Sequence, residues 1–262
     1  MKFNLLGQFE LTIDGENSTP SAPKVRQVLA LMTLRANQVV GLDAIIEELW
    51  EADPPRSAVT TAQTYVYQLR KTLSRLRPNK GADDVLFTRF PGYMLRADED
   101  HIDARVFSGL LDRGRSLLAG GHVKEASRML AEATGMWRGP VLANVVCGPL
   151  LRSYAANLEE QRTTALELRV AADMRLGRHR ELIAELKSLI VSHPLNEWFH
   201  GQLIIALSKA GRRGEALHAY RDMRMILKSE LGLDPSAELQ GVHQMVLTLD
   251  RRPSRELSLE LR

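Results

Sequence analysis

Between residues 60 and 78 the sequence reads TTAQTYVYQLRKTLSRLRP, and its apolar residues Ala62, Val66, Leu69, Leu73 and Leu76 recur in steps of four, three, four and three. That spacing places all five on one side of an α-helix, so the fold must offer that side a hydrophobic surface. The other side carries threonines, tyrosines, glutamines and bases, with no carboxylate in the whole stretch. A helix whose outer face serves only solubility ordinarily mixes both signs of charge there. The bias is local. Residues 56–96 hold eight Lys or Arg against two acids, and residues 43–53 hold five acids and no base, in a chain whose net charge is only +3. A concentrated basic patch, rather than total charge, is what a polyanion partner requires. A solvated face on which bases happen to cluster gives the same composition.

The flanks predict a small α/β unit around this helix. Residues 3–6 and 8–13, split by Gly7 and followed by DGEN, predict two short antiparallel strands. Ser21 as a cap, Pro23 in the first turn and the apolar residues Val25, Val28, Leu29, Leu31 and Met32 predict a helix over 23–36. A shorter helix capped at Leu42–Asp43 carries Ile45, Ile46, Leu49 and Trp50 and stops at Pro54–Pro55. The third helix is predicted to end near Arg77–Pro78. NKGADD then forms a turn-rich loop, and VLFTRFPGYMLRA alternates and breaks at Pro91–Gly92, as a β-hairpin does. Strands, three helices and a closing hairpin over residues 1–98 make a winged helix-turn-helix domain.

From residue 102 to 250 the pattern is helical. Three segments, LLAGGHVKEASRMLAEA, RLGRHRELIAELKSLI and LSKAGRRGEALHAYRDM, each run from a helix end through a glycine turn into an amphipathic helix. Gly177 and Gly211 are 34 residues apart, the tetratricopeptide period, whereas Gly121 and Gly177 are 56 apart. An extra helix or two around Pro140–Asn157 would account for the longer interval. Pro194 and Pro235 are expected to end two repeat helices, Trp137 and Trp198 to be core, and residues 251–262 to be a loose tail. The fold class is therefore mainly α with a small β component.

An α-helix fits the major groove of DNA, where exposed side chains meet base edges and phosphates. With its apolar side on the first two helices, the third helix would turn Thr64, Tyr67, Gln68, Lys71 and Arg75 outward. Gln68 can bond adenine through two hydrogen bonds, and Thr64 offers a hydroxyl and a methyl, while Arg70 and Lys71 suit phosphates by charge. Arg89, just before the hairpin turn, is placed to enter the minor groove, and Tyr93 to reach a phosphate. Phe87, Phe90 and Leu95 are expected to be core. The same helix also fits a protein-interaction scaffold in which the repeats bind a partner and the winged helix is a protein contact.

ELW at 48–50, VYQLRKTL at 66–73 and RFPGYML at 89–95 resemble the OmpR/PhoB-type winged helix, and the helical half resembles the bacterial transcriptional activator domain. In that order the two are similar to the Streptomyces antibiotic regulatory protein family. The resemblance implies a cytoplasmic activator that binds promoter direct repeats side by side on one DNA face and recruits RNA polymerase holoenzyme. It implies Thr64 and Gln68 at base-facing positions, Arg89 in the minor groove, and Trp50, Thr61, Tyr65, Tyr67, Arg70 and Tyr93 at the DNA backbone. Where response regulators often carry a pair of basic residues this sequence has Tyr67 and Gln68, which implies recognition by hydrogen bonds more than by charge. Neither a phosphoacceptor receiver nor an ATPase module is expected.

Other classes lack their motifs. Five histidines (His179, His193, His200, His218 and His243) are scattered without HExxH, and GGHVKEAS lacks the Lys-Ser ending of a phosphate-binding loop. Cys147 is the single cysteine, which excludes an intrachain disulfide and predicts a buried, inert thiol. No cofactor or metal is expected. The apolar runs are too short for a membrane helix, and acids within the first sixteen residues argue against a signal peptide.

Overall fold

The computed structural model describes residues 1–75 and 85–248, and by packing the chain forms two units, Met1–Leu168 and Arg169–Arg262. Leu76, the helix end at Arg77–Pro78, the NKGADD loop and the tail from residue 251 lie outside the described residues, as does the side chain of Arg75.

The first unit opens with an antiparallel sheet of β1 (Lys2–Asn4), β2 (Glu10–Ile13) and β3 (Glu16–Asn17). β3 adds a strand to the two that the sequence predicts, because Asp14–Gly15 turns tightly enough for Ile13 to face Glu16. Next comes α1 (Pro23–Leu34), whose N-cap is Ala22 rather than Ser21 and makes no side-chain cap; Pro23 at the first position has no N–H to satisfy. Likewise α2 (Leu42–Trp50) follows Gly41 without a side-chain cap. Then come α3 (Ala58–Arg75) and the hairpin of β5 (Leu86–Arg89) and β6 (Gly92–Leu95), joined by a cis Phe90–Pro91 bond. A strand that the sequence did not announce, β4 (Val40–Gly41), pairs with β6, giving the order β4-β6-β5.

The rest of this unit is α4 (Asp103–Ala119), α5 (Val123–Gly135) and the start of α6 (Pro149–Arg175). Residues 136–148 form turns rather than a helix, so a single helix, α6, lengthens the interval between Gly121 and Gly177. That turn segment is tied to the N-terminal sheet. Arg138, Leu142 and Ala143 donate backbone N–H bonds to the carbonyls of Leu6, Leu5 and Gly7 at 2.8–3.1 Å, and Asn144 bonds both backbone groups of Phe9. Asp103, 8% exposed, accepts from the N–H groups of Leu5 and Leu6 at 2.7 and 3.1 Å and from Arg138 at 2.8 Å. Trp137 is half-buried, edge-on to Phe107 at 5.2 Å and beneath Arg162. One apolar core joins Phe3, Leu29, Leu69, Phe107 and Leu151.

In the second unit, α7 (His179–Ser192), α8 (Glu197–Lys209), α9 (Arg213–Glu230) and α10 (Ala237–Thr248) follow the end of α6. Gly177 and Gly211, at φ +77° and +79°, make the two tight turns, a backbone setting in which a side chain would be strained. Ala216, Leu186 and Tyr220 are buried here, as Ala126 and Leu130 are in the first unit, in keeping with repeat packing. α7 ends just before Pro194 as expected, but α9 ends at Glu230, and Pro235 instead leads into α10. Asn196 caps α8 by accepting from the N–H groups of Trp198 and Phe199. Trp198 is half-buried.

His200 is 4% exposed, and burial pushes its imidazole pKa below the ordinary value; its Nε2 meets the Pro194 carbonyl at 3.1 Å, so Nε2–H is the donor. The unfolded chain then takes up a proton that the fold resists. This contribution to stability is complete above a pH of about 6.5 and declines as pH falls below it, by at most about 1.4 kcal/mol per pH unit. His200→Gln is expected to flatten that acid limb in urea denaturation followed across pH.

Candidate nucleic-acid interface

The apolar seam of α3 packs as its spacing requires: Ala62 and Leu69 are fully buried, and Val66 and Leu73 are 1% and 3% exposed. They lie against α1 and α2. Burial of the seam fixes the rotation of the helix, so the remaining residues turn outward. Val59, Thr60, Gln63, Thr64, Tyr67, Gln68 and Lys71 are exposed, with Tyr67 at 65%, and the first turn of the helix holds no acid. Val59, 50% exposed, and Gln63 belong to this face although the sequence reading left them out. Val59, Gln63 and Tyr67 follow one another at steps of four, which sets them along one side of the helix and is the signal that could have included them.

The Thr64 hydroxyl donates to the Thr60 carbonyl at 2.8 Å. With its proton so committed, Thr64 presents oxygen lone pairs and a methyl group: an acceptor for a base amino group and an apolar contact for thymine. Thr61 is half-buried near the Ser57 hydroxyl, and Tyr65 and Trp50 are half-buried, with rings packed on the core.

The hairpin lies beside the helix and is braced to it by Arg70. The Arg70 guanidinium donates to the Leu86 carbonyl at 3.2 Å and to the Thr88 hydroxyl at 2.6 Å, and lies 5.6 Å from the centre of the Tyr93 ring. The residue expected to meet a phosphate therefore also sets the hairpin against the helix. Arg89 is exposed and Tyr93 half-buried. Leu95 is buried, and Phe87 half-buried beneath Arg96. Phe90, expected in the core, is 98% exposed. It occupies the turn between Arg89 and Gly92, which pair directly, so no core lies within its reach.

α2 also holds a buried carboxylate. Glu48, 1% exposed, accepts from Gln27 Nε2 at 2.9 Å and from the N–H groups of Gly148, Leu150 and Leu151 at the start of α6. A carboxylate there satisfies donors that the first turn of a helix leaves open and meets the positive end of its dipole. Nearby, Cys147 is half-buried rather than buried. Desolvation, then the Glu48 carboxylate, push its thiol pKa upward, away from a reactive thiolate. Glu51 pairs with Arg152 at 2.8 Å.

Both parts of the chain are similar to known regulatory proteins. Residues 16–95 match the family described as Transcriptional regulatory protein, C terminal, and residues 102–247 match Bacterial transcriptional activator domain. Regulatory protein DnrI of Streptomyces peucetius is 39% identical over 253 residues, which cover 95% of this chain and 93% of DnrI. Transcriptional regulator RedD of Streptomyces coelicolor is 32% identical, over 95% of this chain and 71% of RedD. A solved structure of Mycobacterium tuberculosis EmbR in complex with low affinity phosphopeptide superposes with a TM-score of 0.87 at 35% identity, covering 94% of this chain and 64% of that one. Among the described residues no helix is long and apolar enough to cross a membrane.

Proposed function

Because this chain belongs to the Streptomyces antibiotic regulatory protein family of transcriptional activators, we propose that it binds direct repeats in promoter DNA, two copies side by side, and recruits RNA polymerase holoenzyme. Genes of secondary-metabolite biosynthesis in the cytoplasm are its proposed targets. It is a DNA-binding regulator by family, and regulators of this family are not enzymes. Residues 1–98 serve as the DNA-binding module and residues 102–250 as the activator module in this reading. The observation that carries it is the acid-free exposed face of α3, held outward by a buried seam and flanked by an exposed arginine on the hairpin.

In the proposed complex Thr64 and Gln68 read base edges in the major groove, and Arg89 enters the minor groove. Lys71 and the hydroxyls of Thr61, Tyr65, Tyr67 and Tyr93 meet the DNA backbone, with the Trp50 indole beside them. Arg70 acts first by holding the wing in place and then by its charge near the phosphates.

Gln68 and Lys71 should separate cleanly in a competition titration. Gln68→Ala is expected to weaken the preferred site by about 1–3 kcal/mol while changing unrelated DNA little, as loss of a paired base contact does. Lys71→Ala should weaken all duplexes alike and lower the salt slope by about 0.9. Equal losses on every duplex for both variants would place Gln68 on the backbone instead.

A further inference from the structure

We propose that Phe90 is a wedge that enters the minor groove beside Arg89, partly unstacks a base step and bends the promoter. The inference rests on the DNA-binding reading above and adds to it a deformation of the duplex.

Phe90 is 98% exposed, a rare position for an aromatic ring in a domain whose other phenylalanines are buried or half-buried. It is not in a loose loop. Arg89 and Gly92 pair directly, so the tip consists of Phe90 and Pro91 alone. β6 is the central strand of its sheet, and the Leu42 N–H reaches the Pro91 carbonyl at 3.3 Å. Arg70 clamps β5 from the side of α3. The ring therefore stands on a narrow, braced point, clear of the protein surface.

What covers such a ring is decided by its neighbours. Arg89 supplies the positive charge that the negative potential of a minor groove attracts. A two-residue tip matches a groove about 6 Å wide, too narrow for a helix. Apolar side chains set beside an arginine in that groove are the groups that insert at base steps and kink DNA by about 20–90°. A flat protein surface would bury the ring equally well but would leave the arginine charge beside it without a purpose. The wing and the exposed face of α3 would meet one duplex together.

The test uses the full chain and a duplex carrying its footprinted site, with 2-aminopurine replacing single adenines beneath the wing. Wild type should raise 2-aminopurine fluorescence at one step and shorten the end-to-end distance read by energy transfer. Phe90→Ala should bind the same site about tenfold more weakly, the size of one lost stacked aromatic contact, with neither signal. Phe90→Leu, which keeps an apolar tip, should retain part of the bend. Specific binding by wild type with no fluorescence change at any step overturns the wedge alone. Absence of sequence preference overturns the DNA-binding reading with it. If Phe90→Ala binds single sites normally but loses cooperativity on paired sites, the ring packs on a neighbouring copy and the wedge is wrong.

Discussion

Glu48→Ala is expected to destabilise the first unit by about 3–5 kcal/mol, the range for stripping the partner from buried, hydrogen-bonded groups. The carboxylate accepts four N–H groups, from Gln27, Gly148, Leu150 and Leu151, and is 1% exposed. Its removal leaves those donors without their acceptor at a position that is almost wholly enclosed. Gln27 keeps one contact, because its amide also donates to the Glu48 carbonyl at 2.6 Å. Glu48→Gln retains an acceptor oxygen but adds donors where only acceptors fit, so a smaller yet clear loss should follow. Glu47, next in sequence but exposed, provides the control, and Glu47→Ala should stay within about 0.5 kcal/mol of wild type. Urea midpoints for the three variants decide the matter. Equal midpoints for the Glu47 and Glu48 alanine variants would mean that the buried anion is not structural.

Gly92→Ala is the second large effect, and it falls on the wing. A Cβ at this position would lie 1.9 Å from the Val40 carbonyl oxygen, 2.7 Å from its carbon and 2.8 Å from the Gly41 Cα, all backbone atoms. No rotamer change relieves such a clash; β4 and β6 must separate. Forcing atoms into a filled site of this kind costs about 3 kcal/mol. The functional consequence follows from the same movement, since β4 braces the strand that carries the tip. Specific DNA affinity should fall about tenfold or more as the wing loses its register with α3, while phosphate contacts from the helix keep non-specific binding close to normal. Fluorescence anisotropy on specific and random duplexes measures both. Unchanged affinity for the specific site would show that the wing contributes nothing to recognition.

The elements that the sequence announced are those whose information is local. The seam of α3 is written in the 4-3-4-3 spacing of its apolar residues, and the glycine turns at Gly177 and Gly211 in a fixed interval, so both were legible. β3 and β4 were not, because each has only two residues and cannot display an alternation. Glu48 is one of five acids in residues 43–53 and reads as surface charge; three of its four donors come from residues 100–103 positions later, which no local pattern encodes. Phe90 was misread for the opposite reason. Phe87 and Leu95 share its hydrophobicity and do pack inward, but the two-residue turn carries position 90 beyond the end of the sheet. Arg70 has the same chemistry whether it faces a phosphate or the Leu86 carbonyl, and only the position of the hairpin reveals the second role.

The outward face of α3 can be mapped onto DNA directly by attaching an iron-based cleaving reagent at position 68. Gln68→Cys in a Cys147→Ser background carries the reagent, and Lys124→Cys in the same background, exposed on α5, carries it as the reference. The account predicts a tight cluster of major-groove strand cuts within each repeat from position 68 and diffuse or no cutting from position 124. Diffuse cutting from position 68 on a duplex that the protein demonstrably occupies would contradict it.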